Sequence, residues 1–256
     1  VSFEVDADAY DRFMGRYSRL LAPQLAELAG VRNGGRGGQH VLDVGCGPGA
    51  LTAELVARLG PGAVSAVDPS ASFVAATRRR HPGVGVTVAS AQALPFEDAT
   101  FDVTLAQLVL PFIPDPAAGL REMRRVTREG GTVAACVWDH AGGRTPMAVF
   151  WAAARDLDPG AYDEAGQIGA TEGQLEELLA AAGLRGVVGS TLHARVAHRS
   201  FEAWWETFTL GIGPPGAYVA GLDPDARDAL RERCRQRLGD APPTIGAWAW
   251  AARGER

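Results

Sequence analysis

The 256-residue chain contains no lysine; all 25 of its basic residues are arginine. That absence excludes a lysine Schiff base, a P-loop lysine on phosphate groups and a Tyr-x-x-x-Lys hydride-transfer pair. Cysteine is scarce: Cys46, Cys136 and Cys234 lie far apart, and no two form a C-x-x-C pair. The odd count predicts reduced thiols in a cytoplasmic protein and no structural zinc site. Long apolar runs are missing as well, with no stretch near the roughly 18 residues of a membrane span. The first residues are acidic and polar rather than basic and apolar, so neither secretion nor membrane insertion is expected. Positive charge is not in excess: the formal net charge is −5, which argues against a nucleic-acid partner. The run Arg78-Arg79-Arg80-His81 reads as a solvated helix end. What is present suits one large domain with an elaborated cap: 46% hydrophobic and 21% charged residues.

Residues 6–29 carry Tyr10, Phe13, Met14, Tyr17, Leu20 and Leu21 at helical spacing, then Leu25 and Leu28 beyond Pro23. This predicts an amphipathic helix divided into two short ones. The stretch NGGRGG at 33–38 reads as a flexible loop. Strands are expected at 40–45, 63–68, 85–89, 101–107 and 131–138, alternating with helices near 49–59, 70–80 and 115–127. Asp115 is the expected N-cap of the last of these, with Pro116 at its first position. Apolar strands alternating with helices predict an α/β, doubly wound and mostly parallel sheet with helices on both faces. In the second half, 144–169 is apolar and partly helical, and a helix at 171–182 is expected to be capped by Thr171 and closed by Gly183. A strand near 186–198, an aromatic insertion at 200–240 with a GPPG turn, and a strand at 244–252 complete a single domain, 1–256.

The stretch VLDVGCGPGALTAEL at 41–55 sets Gly45, Gly47 and Gly49 between a strand and a helix. A glycine-rich turn there lets backbone approach a ligand without Cβ interference, at the strand end where open parallel sheets bind ligands. Asp68 ends the second strand, and a carboxylate in that position can accept both hydroxyls of a ribose. Its other reading, a helix N-cap, is compatible with this only if a neighbour such as Ser70 caps instead. Gly45-x-Gly47-x-x-Ala50 also satisfies the dinucleotide fingerprint and so admits NAD. Asp43, two residues before the loop, can help hold a ligand ammonium.

Taken together, VLDVGCGPG, AVDPS, SAQALPFEDATFDVTLAQLVLPFIPDP and REMRRVTREGGTVAACVW occur in an order that resembles the class I S-adenosylmethionine-dependent methyltransferases. The resemblance is to the small-molecule type that includes the ubiquinone/menaquinone-biosynthesis branch, and it covers 6–138. It implies S-adenosylmethionine as cofactor, held by a cofactor half at 40–138. Gly45, Cys46, Gly47 and Gly49 would line the methionine and ribose, Asp68 the ribose hydroxyls, and Pro69 the adenine. Ser90 would meet the adenine edge by its side chain and Ala91 by its backbone; many relatives carry Asp or Asn at Ser90. Gln107 would close the fourth strand beside the methionine. Such families place a lid from the N-terminal helices, here 1–32, over the cofactor, with Tyr10 and Met14 on its apolar side and Arg19 reaching the carboxylate.

Methyl transfer from a sulfonium is an in-line displacement that rests mainly on proximity, and a base is needed only where the nucleophile loses a proton. Relatives frequently have histidine at the position of Pro111, which this chain lacks. His140 is the base candidate; the spacing of His193 and His198 does not aim them. No carboxylate follows the fourth strand, so no metal is expected. Insertions at 139–169 and 200–240 are expected to form the acceptor cap. Phe150, Trp151, Tyr162, Trp204, Trp205 and Phe208 would line a pocket for an apolar or aromatic small molecule. The competing readings are an NAD-binding oxidoreductase and a catalytically silent cofactor-binding module.

Overall fold

The structure, a computed structural model, describes residues 6–32, 38–162 and 164–256. The loop expected at 33–38 lies outside the described residues except for Gly38, as do the first five residues of the expected lid.

The N-terminal helix is broken, but not where proline suggested. Helix α1 (Ala7–Tyr10) runs into a π-helical turn, Asp11–Gly15, and then into α2 (Arg16–Leu28), which carries Pro23 inside it. An internal proline costs a helix about 3 kcal/mol. Here Leu21, Ala22, Leu25 and Ala26 around it are buried, and that packing offsets the cost. A Cβ at Gly15, in the π turn, would press on the Asp11 carboxylate, which would have to shift.

Strands β1 (Val41–Val44), β2 (Val64–Asp68), β3 (Gly85–Val88), β4 (Phe101–Gln107) and β5 (Thr127–Trp138) alternate with helices α3 (Ala50–Leu59), α4 (Ala71–Arg80) and α5 (Pro116–Val126). Asp115 caps α5, accepting from the Ala118 N–H at 2.9 Å. Strand β5 starts four residues before its expected start, since TREGG reads as a loop yet Thr127 pairs with Phe101 before the register shifts. Beyond β5 come α6 (Ala148–Leu157), α7 (Gln174–Ala181), β6 (Arg185–Ala197), α8 (Phe201–Trp205), α9 (Gly213–Gly221), α10 (Pro224–Leu238) and β7 (Thr244–Glu255). Thr171 does not cap α7. Gly173, in the left-handed region at φ +82°, stands at that position, while Thr171 turns back onto Gln174. Gly183 closes α7 at φ +86°, as expected.

The seven strands form one sheet in the order β3-β2-β1-β4-β5-β7-β6. Strands β1 to β5 are parallel, and β7 enters antiparallel between β5 and β6. Side chains of β5 alternate between two cores: Ala134, Cys136 and Trp138 face one, Val133, Ala135 and Val137 the other. The first core also takes in α2, α6, α8 and α10, so the N-terminal helices and the late insertions share one apolar layer over one face. Strand β1 has β2 on one side and β4 on the other, which puts the point where strand order reverses at its carboxyl end.

Candidate active site

Gly45 and Gly47 leave β1 at φ +72° and +52°, a backbone region that favours glycine. The N–H groups of Gly45 and Cys46 both donate to the Val67 carbonyl, which docks the loop on β2. A Cβ at Gly45 would press on Val109 after β4, whereas at Gly47 it would meet nothing within 4 Å. The loop is thus closed on one side and open on the other, toward a cavity of about 420 Å³, within the range of small-molecule sites.

Asp68 links this loop to α4. One carboxylate oxygen accepts the Gly47 N–H and the other the Ser70 N–H, both at 2.8 Å. Ser70 itself caps α4 by accepting from Phe73, so Asp68 is not the cap. Burial raises the Asp68 pKa from the usual carboxylate value, against the lowering effect of the two N–H groups. Asp43 is 1% exposed. Its Oδ2 accepts from Thr52 Oγ1 at 2.7 Å, but its Oδ1 is buried without a partner. Burial, opposed by Thr52 and reinforced by the Asp68 charge, pushes its pKa up to about 7. Gln107 repeats the pattern. Its Nε2 donates to the Ser18 carbonyl at 3.1 Å, and its Oε1 is buried without a donor. Gln107 lines the cavity, and its orphaned acceptor calls for a ligand that brings a hydrogen-bond donor or positive charge.

The structure brings Tyr10, Gly45, Gly47, Asp68, Pro69, Ser90, Ala91 and Gln107 together around this cavity, with Phe73, Val109 and Ile113 as further apolar wall. Other expected residues stand elsewhere. The Cys46 thiol turns into a small core with Ala66, Val74 and Val86, and burial raises its pKa. Gly49 starts α3 at φ +96° and faces His81. Asp43 lies behind the loop rather than in the wall. Arg19 is 55% exposed and ion-paired with Asp11 at 3.8 Å; nine residues on from Tyr10, it falls on the opposite side of the helix. Met14 belongs to a second cavity.

That second cavity adjoins the first and shares Tyr10, Leu108 and Phe112 with it. It is lined by Phe13, Met14, Trp138 and Met147, by Ile212 to Pro215, and by two polar groups, His140 and Glu164. Leu108, on the shared wall, has φ +62°, an uncommon conformation for a non-glycine residue and a form of strain that clusters at functional sites. Neither Leu108 nor Glu164 carried a sequence signal. The aromatic residues expected in the pocket are instead its scaffold. Phe150 stacks on Phe208 at 4.6 Å, Trp204 meets Phe208 edge-on at 4.8 Å, and Phe150, Trp151, Trp204, Trp205 and Phe208 are all buried in the core; Tyr162 packs against Trp151. His198 bonds Arg16 and Tyr17 at 3.1 Å each, and burial and the Arg16 charge push its pKa down to about 4. His193 packs on Trp248. Neither histidine lines a described cavity. Asp139 is occupied by Arg144, Gly142 and Trp250. Among the described residues no group of three or more His, Cys, Asp and Glu could hold a metal ion, and no helix is long and apolar enough to cross a membrane.

A sheet of this order, with a glycine turn after β1 and a carboxylate ending β2, defines the Rossmann-like fold of the class I methyltransferases. Residues 42–135 match the family model described as Methyltransferase domain. A demethylmenaquinone methyltransferase of Beutenbergia cavernae is 41% identical over 98 residues, 38% of this chain and 40% of that protein. A trans-aconitate 2-methyltransferase of Methylobacterium nodulans is 28% identical over 251 residues, 93% of this chain and 90% of the other. The structure of a Haemonchus contortus phosphoethanolamine N-methyltransferase, solved with S-adenosylhomocysteine, superposes with a TM-score of 0.57. It is 17% identical and covers 97% of this chain and 56% of that one, a likeness of fold. The chain spans 29% to 48% of the length of the first three curated relatives it matches. The Beutenbergia cavernae and Methylobacterium nodulans proteins are both named methyltransferases, and the nicotinamide alternative is not favoured.

Proposed function

We propose that the protein transfers the methyl group of S-adenosylmethionine to a small-molecule acceptor, without a metal. The observation that carries this reading is Gln107 Oε1, a buried acceptor without a donor in the wall of a cavity that Asp68 and the open side of Gly47 also border, together with Asp43 Oδ1, likewise unpartnered, behind the glycine loop. An adenosyl sulfonium amino acid is rich in what they lack: an ammonium, two ribose hydroxyls and a positive sulfur. Asp68 would take the hydroxyls. Pro69, Phe73, Ala91 and Ile113 would sandwich the adenine, with Ser90 at its edge. Gln107, and Asp43 from behind the loop, would answer the ammonium. Bound there, the cofactor supplies an electrophilic methyl carbon.

The chain's own part is to hold the acceptor close and in line, which in general is worth several kcal/mol of barrier. The second cavity supports an apolar acceptor with few polar anchors, contributed by 139–169 and by Ile212 to Pro215. At about 50 Å³ it admits a molecule of more than a few atoms only when its cover moves. That cover includes Tyr10, Phe13 and Met14, which supports a lid role for α1 and the π turn after it. His140 is the base that cavity offers. The three cysteines are free and buried, which supports a reducing, cytoplasmic setting.

Calorimetry of the purified protein with S-adenosylmethionine, S-adenosylhomocysteine and NAD tests the cofactor. The first two should bind and NAD should not; the reverse would overturn the proposal. Methyl-labelled cofactor incubated with a small-molecule extract then tests transfer, and binding without any transfer would favour the silent module.

A further inference from the structure

An open cleft of about 390 Å³ lies where the N-terminal helices meet the late insertions, and it shares no lining residue with the two cavities above. Its wall holds three guanidinium groups: Arg12 from the π turn, Arg16 from the start of α2, and Arg199 from the segment between β6 and α8. Glu206 is the one carboxylate of that wall, and no carboxylate of the described residues forms an ion pair with any of the three. Other arginines of the chain are matched with acid: Arg80 with Asp8 and Asp11, Arg235 with Glu202, and Arg233 and Arg237 with Asp156.

Arg16 is held in place, but by a neutral group. Its Nη1–H donates to His198 Nδ1 at 3.1 Å. A guanidinium has no acceptor, so Nδ1 is the unprotonated nitrogen of that ring. Burial and the Arg16 charge push the His198 pKa down to about 4, so the ring is neutral at physiological pH and its Nε2–H donates to Tyr17 Oη at 3.1 Å. His198 is 4% exposed and Tyr17 3%, which fixes both rings. A carboxylate in that place would bind Arg16 and cancel its charge. The imidazole binds it and leaves the charge whole. Arg12 stands four residues before Arg16 on the same side of the helix, a spacing at which like charges repel. Three like charges kept together without a paired acid forgo stability that an anion would restore.

We propose that this cleft binds a small dianionic oxyanion, a phosphate monoester or a dicarboxylate, between Arg12, Arg16 and Arg199. Planar guanidinium forks match the paired oxygens of either group. Three arginines against Glu206 leave two positive charges in excess, which a dianion balances and a single carboxylate does not. Arg12 and Arg16 belong to the N-terminal helices and Arg199 to the chain entering α8, so the bound anion ties the lid to the cap. Phe13, next to Arg12, lines the proposed acceptor cavity and meets Phe208 edge-on at 5.8 Å. Occupancy therefore holds down the turn that covers that cavity. The anion site stands apart from the methyltransferase reading; only its effect on the lid rests on it.

The test is calorimetry of the full chain with inorganic phosphate, succinate and acetate, at about pH 8 and about 0.15 M ionic strength, where phosphate is largely a dianion and diffuse surface attraction is screened. Phosphate or succinate should bind one to one and at least about tenfold more tightly than acetate, and the tighter of the two names the source. Arg12→Gln and Arg199→Gln, both exposed, should each weaken that binding at least about tenfold, the weight of one charged hydrogen bond. Arg195→Gln, exposed on β6 outside the cleft, should leave it within about threefold. Amide hydrogen exchange with the tighter probe should slow at 10–17 and 199–207 together. That readout needs no substitution and decides the matter even where a variant does not fold. No binding by either dianion, acetate binding equally well, equal loss in Arg195→Gln, or slowed exchange elsewhere only would overturn the proposal. Displacement of the anion by S-adenosylmethionine would place it in the cofactor cavity and overturn it too. Failure to bind S-adenosylmethionine at all would refute the methyltransferase reading separately and leave the anion result as it stands.

Discussion

Substituting Asp68 by asparagine separates its two jobs. In the folded chain its carboxylate accepts backbone N–H groups from Gly47 and Ser70, both at 2.8 Å. In the proposed complex it would also accept two ribose hydroxyls. Hydrogen bonds to a charged group are worth roughly 1.5–3 kcal/mol each, so losing both ribose contacts costs about 3–6 kcal/mol, or about 10²- to 10⁴-fold in affinity. Folding responds differently. Burial raises the Asp68 pKa above the unfolded value, so the ionised group is a net liability to the native state at neutral pH. Asparagine removes that liability and keeps one acceptor oxygen for the loop. Asp68→Asn should therefore fold with a stability within about 1 kcal/mol of the unaltered protein, while S-adenosylmethionine affinity falls at least about 10²-fold. Asp68→Ala orphans both N–H groups and should lose stability as well. Urea denaturation and calorimetry on the same samples read the two effects. A folded Asp68→Asn that binds within about threefold of the unaltered protein, a difference under 1 kcal/mol, would refute the role given to Asp68.

Asp43 predicts an unusual pH dependence of the ligand-free protein. Its folded pKa of about 7 lies above the unfolded value near 3.9, so its contribution is fully present below about pH 4 and is lost as pH rises through about 7, on the order of 4 kcal/mol in all. Asp43→Asn should flatten that decline and raise Tm at pH 8 while weakening cofactor binding; a lower Tm at pH 8 would contradict the unpartnered Oδ1. Phe150 is scaffold, so Phe150→Ala should cost about 3–5 kcal/mol of stability, read by urea denaturation. Ile212→Ala, in the cavity wall, should instead change acceptor KM with S-adenosylmethionine affinity within about threefold; equal weakening of both would move the acceptor elsewhere. Turnover should survive exhaustive EDTA treatment, and magnesium-restored activity would contradict the metal-free proposal.

What the chain determined by itself is what lies within a few residues. Short apolar runs alternating with helical segments marked the strands of the first half, and the Asp115-Pro116 pair marked the start of α5. Glycines between β1 and α3 and a carboxylate closing β2 marked the sheet edge on which the cavity of about 420 Å³ opens. These signals are legible because backbone hydrogen bonding, capping and turn conformation depend on neighbours in sequence. The tertiary structure decided the rest. It set β7 between β5 and β6 and moved the aromatic residues of the insertions from the pocket to its support. It also left Asp43 Oδ1 and Gln107 Oε1 without donors and brought Glu164 to His140, from separate stretches of chain. Each of these depends on which surfaces meet when the helices and late insertions close over one face of the sheet. A burial or a missing partner belongs to that meeting of surfaces, and no local pattern of residues encodes it.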